Sequence, residues 1–411
     1  MKKTSFSLAL VALLVLAACT SPTPVSETQP SASDQVATMV AGTLQALSTN
    51  TPVAVTPGPS AELLPHALYY LGNNGMSNIA QVYRLERDGK TITQLTSEPN
   101  CKGVAGYDVS LVDGTLAFIA DNQLALANAD GSNRRVLVEG DPGTVENDPC
   151  SFKDPLSNPV FSPDGQTIAY ARGGLNLYDL STGVSRLALE DEPGGYGFVV
   201  ETHSPVDFSP DGTKLVVQVG QWEAPPAYAI YTPETGALVQ ASPRGGSFCC
   251  GGPTWSPDGS SFYDAVSEPM YAYGTGEIWQ VDASTGAITA LIPFDPNSET
   301  MSVPDAPYLA PDGQLYYFFG DYNVDSGYRQ APVLQLVRSA PDGVTGRTVL
   351  RDENFVFMNE ALWAPDASFV IVATAPTRDW REGGILELYP TDGQKSAVWL
   401  APFGQELKWG P

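Results

Sequence analysis

Positive charge and histidine are the scarcest features of this 411-residue chain. It carries 21 lysines and arginines against 46 aspartates and glutamates, a formal net charge of −25. Binding a nucleic-acid polyanion requires a basic stripe that displaces counterions, so nucleic acid is excluded as a partner. Adhesion of the folded body to anionic lipid is excluded on the same ground. Two histidines, His66 and His203, are too few for a multi-histidine metal site, and no spacing among the five cysteines supports metal binding. Gly-x-Ser-x-Gly, a phosphate-cradling glycine loop and a haem-attachment motif are missing, so neither metal nor cofactor is expected. Long hydrophobic runs are missing too: the longest, Ser5 to Ala18, falls short of the roughly 20 apolar residues that span a bilayer. What the chain has is 43% hydrophobic residues, enough for a large core, and 39 glycines with 35 prolines, the composition of short strands joined by turns.

Lys2 and Lys3 precede the apolar run, which ends in Leu16-Ala17-Ala18-Cys19. This is the layout of a signal peptide over residues 1–18, and its end resembles the lipobox of bacterial lipoproteins. The resemblance implies cleavage before Cys19, lipidation of its thiol, and a mature protein held outside the cytoplasm at the cell membrane or outer membrane. Thr20 follows the cysteine, so the family's usual aspartate signal for inner-membrane retention is missing. The alternative is an ordinary secretory signal with a cysteine at that place. Residues 19–64 then form a Ser/Thr/Pro-rich tether that buries too little apolar surface to order itself. Within it, Val36, Met39, Val40, Thr43, Leu44 and Leu47 fall at helical spacing, which predicts a short helix over 35–47, either part of the stalk or a docking element.

From residue 65 onward the chain repeats. Phe161-Ser-Pro-Asp-Gly165, Phe208-Ser-Pro-Asp-Gly212 and Trp255-Ser-Pro-Asp-Gly259 are strong copies; Leu309-Ala-Pro-Asp-Gly313 and Trp363-Ala-Pro-Asp-Ala367 are weaker ones. Leu111-Val-Asp-Gly114 occupies the same slot without proline. Each copy is followed by an alternating strand (TIAYA, KLVVQV, FVIVAT), a loop, and a second strand ending in a Thr-Gly or Asp-Gly turn. Proline presets φ at the first turn corner, aspartate caps the turn, and glycine takes the positive φ. Four strands per 40–50 residues is the arithmetic of a propeller blade. The motif resembles that of the TolB-type, WD-repeat-like β-propeller family across residues 65–411. The fold expected is therefore all-β: a seven-bladed β-propeller, with six blades as the alternative, closed by a C-terminal strand at 406–411 that completes the first blade.

In such a ring the tight turns share one face and the longer loops the other, where function usually lies. Trp222, Tyr271, Tyr273, Tyr322, Tyr328 and Trp380 fall on those loops, with His203, and form the candidate binding face; the alternative is that they only pin their own loops. Aligned innermost strands bring Glu360 and Glu406 to one register at the channel mouth, with Lys408 and Asp207 two positions on. That set either holds a cation, an amine or a raised-pKa acid, or lines a water-filled channel in which Lys408 offsets the acids. Cys101 and Cys150 sit in successive loops and are candidates for a disulfide; Cys249 and Cys250 are a candidate vicinal pair, with separate bonds to the other two cysteines as the alternative. His203, with Glu201 nearby, and His66 read as structural.

These features predict a lipid-anchored, extracytoplasmic propeller that binds or scaffolds an envelope protein or extracellular polymer through its loop-rich face. It would act as a monomer, touching the membrane through its N-terminal lipid only, with no catalytic residue assigned. The rivals are an extracellular enzyme acting on polysaccharide or peptide through Glu360 and Glu406, and a substrate-capture lipoprotein.

Overall fold

The structure is a computed structural model that describes residues 62–73, 79–143, 148–194, 199–221, 224–241, 252–268, 273–293, 295, 297–323, 332–377, 380 and 382–411. The predicted signal, most of the tether and the 35–47 segment lie outside these residues, as do Cys19, Trp222, Cys249, Cys250, Tyr271 and Tyr328. For Tyr273 and Tyr322 only the backbone is described.

Among the described residues the chain forms twenty-eight β-strands and no α-helix. The first array is β1 (Leu68–Gly72), β2 (Gln81–Leu85) and β3 (Ile92–Gln94). A four-stranded sheet follows, of β4 (Val104–Val109), β5 (Leu116–Ala120), β6 (Gln123–Ala127) and β7 (Arg135–Glu139). The next comprises β8 (Ser157–Phe161), β9 (Thr167–Ala171), β10 (Gly174–Asp179) and β11 (Val184–Glu190). A short β12 (Glu192–Pro193) extends the sheet of β13 (Val199–Phe208), β14 (Leu215–Gln221), β15 (Ala224–Thr232) and β16 (Ala237–Gln240). Then come β17 (Thr254–Trp255), β18 (Ser261–Glu268), β19 (Tyr273–Asp282) and β20 (Ile288–Ala290). β21 (Thr300–Leu309), β22 (Leu315–Asn323), β23 (Gln335–Ser339) and β24 (Thr348–Val349) form another sheet. The last strands are β25 (Met358–Trp363), β26 (Phe369–Thr374), β27 (Gly384–Pro390) and β28 (Val398–Trp409).

The twelve-residue β28 belongs to both ends of the chain. Its first half pairs antiparallel with β27, Leu388 opposite Val398 and Leu386 opposite Ala401. Its second half pairs with β1, Leu68 opposite Trp409 and Tyr69 opposite Lys408. First and last arrays thereby fuse into one seven-stranded sheet, and β1 keeps no open edge.

Apolar clusters join each array to the next. Tyr69 and Leu71 meet Tyr107 and Phe118; Ile119 and Leu124 meet Phe161 and Tyr170; Leu175 and Leu177 meet Phe208 and Val217. Val216 and Tyr228 meet Trp255 and Phe262, Ile278 meets Tyr317, and Phe318 and Leu336 meet Trp363 and Val370. Ile371 and Leu386 then meet Leu68 and Tyr70, which returns the packing to the first array. Alternation drives this: successive strand residues face opposite neighbours, so each sheet is buried on both faces and reads as an apolar run.

The repeated turns have one chemistry. Ser162 Oγ donates to Asp164 Oδ1 at 2.6 Å, the Gln166 amide donates to the same oxygen at 3.0 Å, and the Gly165 amide donates to the Ser162 carbonyl at 2.8 Å. Ser209 and Asp211, and Ser256 and Asp258, repeat the pattern. Gly165, Gly212 and Gly259 have φ of 67–71°, the left-handed region that glycine enters without a Cβ penalty. One expected slot is displaced. Ser110, whose amide donates to the Thr115 carbonyl as that of Ser162 does to Thr167, begins the earliest turn, and three residues rather than two stand between it and its glycine. Val109, not Leu111, therefore takes the buried position before the turn, and Leu111 is exposed.

Candidate functional site

The innermost strands carry a local irregularity three residues before the turn-end residue. There Asn158, Ala306 and Glu406 adopt φ of 51°, 45° and 52°, and Gly252 takes the same position at 71°. Glu360 holds this position on β25, next to a register shift between Met358 and Glu360. Such bulges re-aim side chains that a regular strand would send into the sheet-to-sheet packing.

Five charged groups gather on this inner lining. Lys408 Nζ lies 2.8 Å from Asp108 Oδ1, and its charge also acts on Asp207, Glu360 and Glu406, so β4, β13, β25 and β28 converge on it. One ammonium thus pairs with Asp108 and acts on three further carboxyls. Asp108 Oδ2 accepts the Phe161 amide at 2.6 Å, and Glu360 Oε1 accepts the Leu407 amide at 2.5 Å, each lacing one innermost strand to the next. Tyr107 Oη donates to the Glu406 carbonyl at 2.6 Å. Asp207 is exposed to solvent. Loss of bulk solvation pushes the carboxyls of Asp207, Glu360 and Glu406 each up to about 7, and Lys408 opposes the rise in all three. Asp108, Glu406 and Asp207 hold the Lys408 ammonium above its ordinary value despite its desolvation. Glu360 and Glu406 each stand three residues before a tryptophan, Trp363 on β25 and Trp409 on β28.

The candidate binding face is only partly described. Trp380 stands in the connection between β26 and β27, 46% exposed, with its Nε1 donating to the Glu382 carbonyl at 2.7 Å and its ring edge-on to Phe403. Asn359 ties this connection down through Nδ2, which donates to the carbonyls of Trp380 and Gly383. His203 is not part of any surface: it is buried, with Nδ1 3.5 Å from Asp191 and Nε2 3.3 Å from Glu201. Inward alternation on β13 puts it inside, where it braces its own hairpin. His66 packs at 6.5 Å against the Trp409 ring. Cys101 and Cys150 are joined in a disulfide with a Cα–Cα distance of 5.1 Å. A cleft of about 430 Å³ opens between β10–β11 and the β13–β14 turn, lined by Asp164, Asp179, Arg186 and Asp211. Its three aspartates cap turns, and those hydrogen bonds hold their carboxyls low.

Sequence reasoning missed Asp108, Asp264 and Asp305. Asp108 stands in the register of Asp207 and Lys408, just before the residue that precedes the turn, but Gly114 lies one position later in its turn than Gly165 does, which hid the alignment. Asp264 was signalled by an acid at an inward position, between Phe262 and Val266 on β18.

No family model and no curated protein matches the chain. Solved structures do. An oligogalacturonate lyase in complex with manganese is 13% identical, over 82% of this chain and 85% of that one, with a TM-score of 0.51. A prolyl endopeptidase structure is 14% identical, over 92% of this chain but 56% of that one, at 0.52. TolB from Acinetobacter baumannii also matches, 15% identical over 84% and 82%, at 0.40. The fold is that of a β-propeller. TolB proteins stand among its structural matches.

Proposed function

We propose that this protein is a seven-bladed, lipid-anchored propeller outside the cytoplasm that binds an envelope protein through the end carrying its long connections. Support for seven blades comes from the seven apolar clusters that run in a cycle, with β28 shared between the first and last. The observation that carries the functional reading is where the chain reaches the body. The amides of Leu63 and Leu64 both donate to the Arg87 carbonyl, at 2.8 and 3.0 Å, and Glu62 pairs with Arg87. Arg87 belongs to the turn between β2 and β3, which antiparallel connectivity places at the same end as the Ser-Pro-Asp-Gly turns. Residues 62–64 therefore meet the body at the end of the Ser-Pro-Asp-Gly turns, and Trp380, in the connection between β26 and β27, lies at the opposite end. The Cys101–Cys150 disulfide suits an oxidising compartment.

The enzymatic alternative has less support. Glu360 is committed to the Leu407 amide, and Lys408 offsets the acids around it. A photo-cross-linker placed at Trp380, and separately at Asp211 in a turn, tests the proposal in the native envelope. Capture of one abundant protein from position 380 and not from 211 is expected. No capture from 380 above background, or equal capture from both, overturns it.

A further inference from the structure

Strand length separates the sheets at the end that carries the long connections. At the turns the strands are level, because register pairs pin them there: Val109 with Leu116, Phe161 with Ile168, Phe208 with Leu215, Trp255 with Phe262, Leu309 with Leu315 and Trp363 with Val370. Away from the turns they are not. β1, β5 and β9 have five residues and β26 has six, whereas β14, β18 and β22 have seven, eight and nine. The ten-residue β13 and β21 run alongside, with Glu201 opposite Gln221 and Thr300 opposite Asn323 near the tips. The extra length projects from the long-connection end by about 7–13 Å, at 3.3 Å per residue. The three sheets are successive, so their projections form one wall along part of that end. Trp380 stands on the sheet that follows them.

The wall is bare and acidic. Val199 and Val200 at the start of β13 are 42% and 45% exposed, and adjacent strand residues point to opposite faces, so neither face of that tip is covered. Glu192 on β12, Glu299 just before β21 and Asp321 on β22 are exposed, and their carboxylates have no partner among the described residues. No lysine or arginine stands among the described residues of the projections. In sequence, the connections at this end of the three sheets add Glu223, Asp295 and Asp325 against Arg244 and Arg329. Acids on the shorter sheets are matched within the chain: Arg172 lies 3.5 Å from Asp141 and 3.4 Å from Asp154, and Arg134 lies 2.6 Å from Glu98. Unmatched charge of one sign on a rigid rim attracts the opposite sign and rejects its own.

We propose that the projecting ends of β12–β14, β18–β19 and β21–β22 are the wall against which the partner docks, and that this partner is a protein presenting lysine or arginine side chains to Glu192, Glu299 and Asp321. The inference rests on the reading that the long-connection end binds an envelope protein, and it adds a side and a charge. The shorter sheets, with Asn100 in the connection into β4, stay clear of the partner.

The test uses the full chain in isolated native envelopes, with a photo-cross-linker placed in turn at Thr202, Thr300, Trp380 and Asn100. The joined peptides are sequenced by mass spectrometry. One protein captured from 202, 300 and 380 but not from 100, through a peptide rich in lysine or arginine, is the expected result. Glu192→Gln, Glu299→Gln and Asp321→Asn combined should lower capture from 300 about threefold or more, the loss of three rim pairs. Wild-type capture should fall likewise when salt is raised from about 0.05 to 0.5 M, a comparison that needs no variant. Capture from 380 alone, equal capture from 100, a joined peptide without basic residues, or a yield indifferent to charge removal and salt overturns this inference and leaves the protein-binding reading standing. Capture from none of the four positions overturns both.

Discussion

Ser256 shows how much one hydroxyl does in this fold. It is 3% exposed, donates to Asp258 at 2.7 Å and accepts the Ser261 amide at 3.1 Å, so one side chain closes the turn from both sides. Ser256→Ala leaves a buried amide without its acceptor and is expected to cost about 1 kcal/mol, read as a lower denaturant midpoint with an unchanged slope. The turn aspartates add an acid limit. Hydrogen bonds hold Asp164 and Asp211 low and bring Asp258 to about 2, so their contribution is present at neutral pH and is lost as pH falls through those lowered values. This scale was legible in the sequence, because serine, proline, aspartate and glycine each act on the backbone within a few residues. Ala310 and Ala364, which replace the serine in the last two copies, forgo the hydroxyl, and Ala367 holds φ of 56° without being glycine.

At the level of elements, β28 carries the most. Its outer half completes one array, its inner half completes another, and Trp409 Nε1 donates to the Trp363 carbonyl at 2.7 Å across the seam. The same strand supplies Lys408, which offsets the lining acids. Lys408→Met is expected to destabilise the protein clearly at pH 8 and much less at pH 5, where Asp207, Glu360 and Glu406 take up protons. In wild type the Lys408 contribution persists through this range because its own pKa is raised. Melting curves at the two pH values check this, and equal losses at both would remove the assigned role. The register of Glu360 with Glu406 was readable from aligned repeats. That Asp108 joins them was not, because the glycine of that turn lies one position later than in the other copies, which shifts an alignment made on the glycines.

For the whole molecule, closure is the governing constraint. A ring of sheets has no hydrophobic centre of its own; it is held by the apolar seams between neighbours and by whatever ties the ends. β28 ties the termini, and the Cys101–Cys150 disulfide clamps the connection into β4 to the connection into β8, across a separation of 49 residues. Cys101→Ser with Cys150→Ser is expected to lower stability by roughly 3–4 kcal/mol on the chain-entropy model, measured as a shifted denaturant midpoint. A variant that melts like wild type under reducing and oxidising conditions alike would show that the ring needs no clamp there.

By itself the sequence determined whatever is local or periodic: the all-β class, the turn chemistry, the aromatic before most of the turns, the strong excess of acid. Each follows from interactions within a few residues, or from a pattern that recurs at fixed spacing. Only the tertiary structure decided which groups face one another across seams. The register shift at Ser110, the burial of His203, the pairing of Lys408 with Asp108 and the unpartnered oxygens of Asp264 and Asp305 all depend on strands far apart in the chain. Whether a carboxyl meets an amide or an ammonium is set by the packing of successive sheets, which no single repeat encodes.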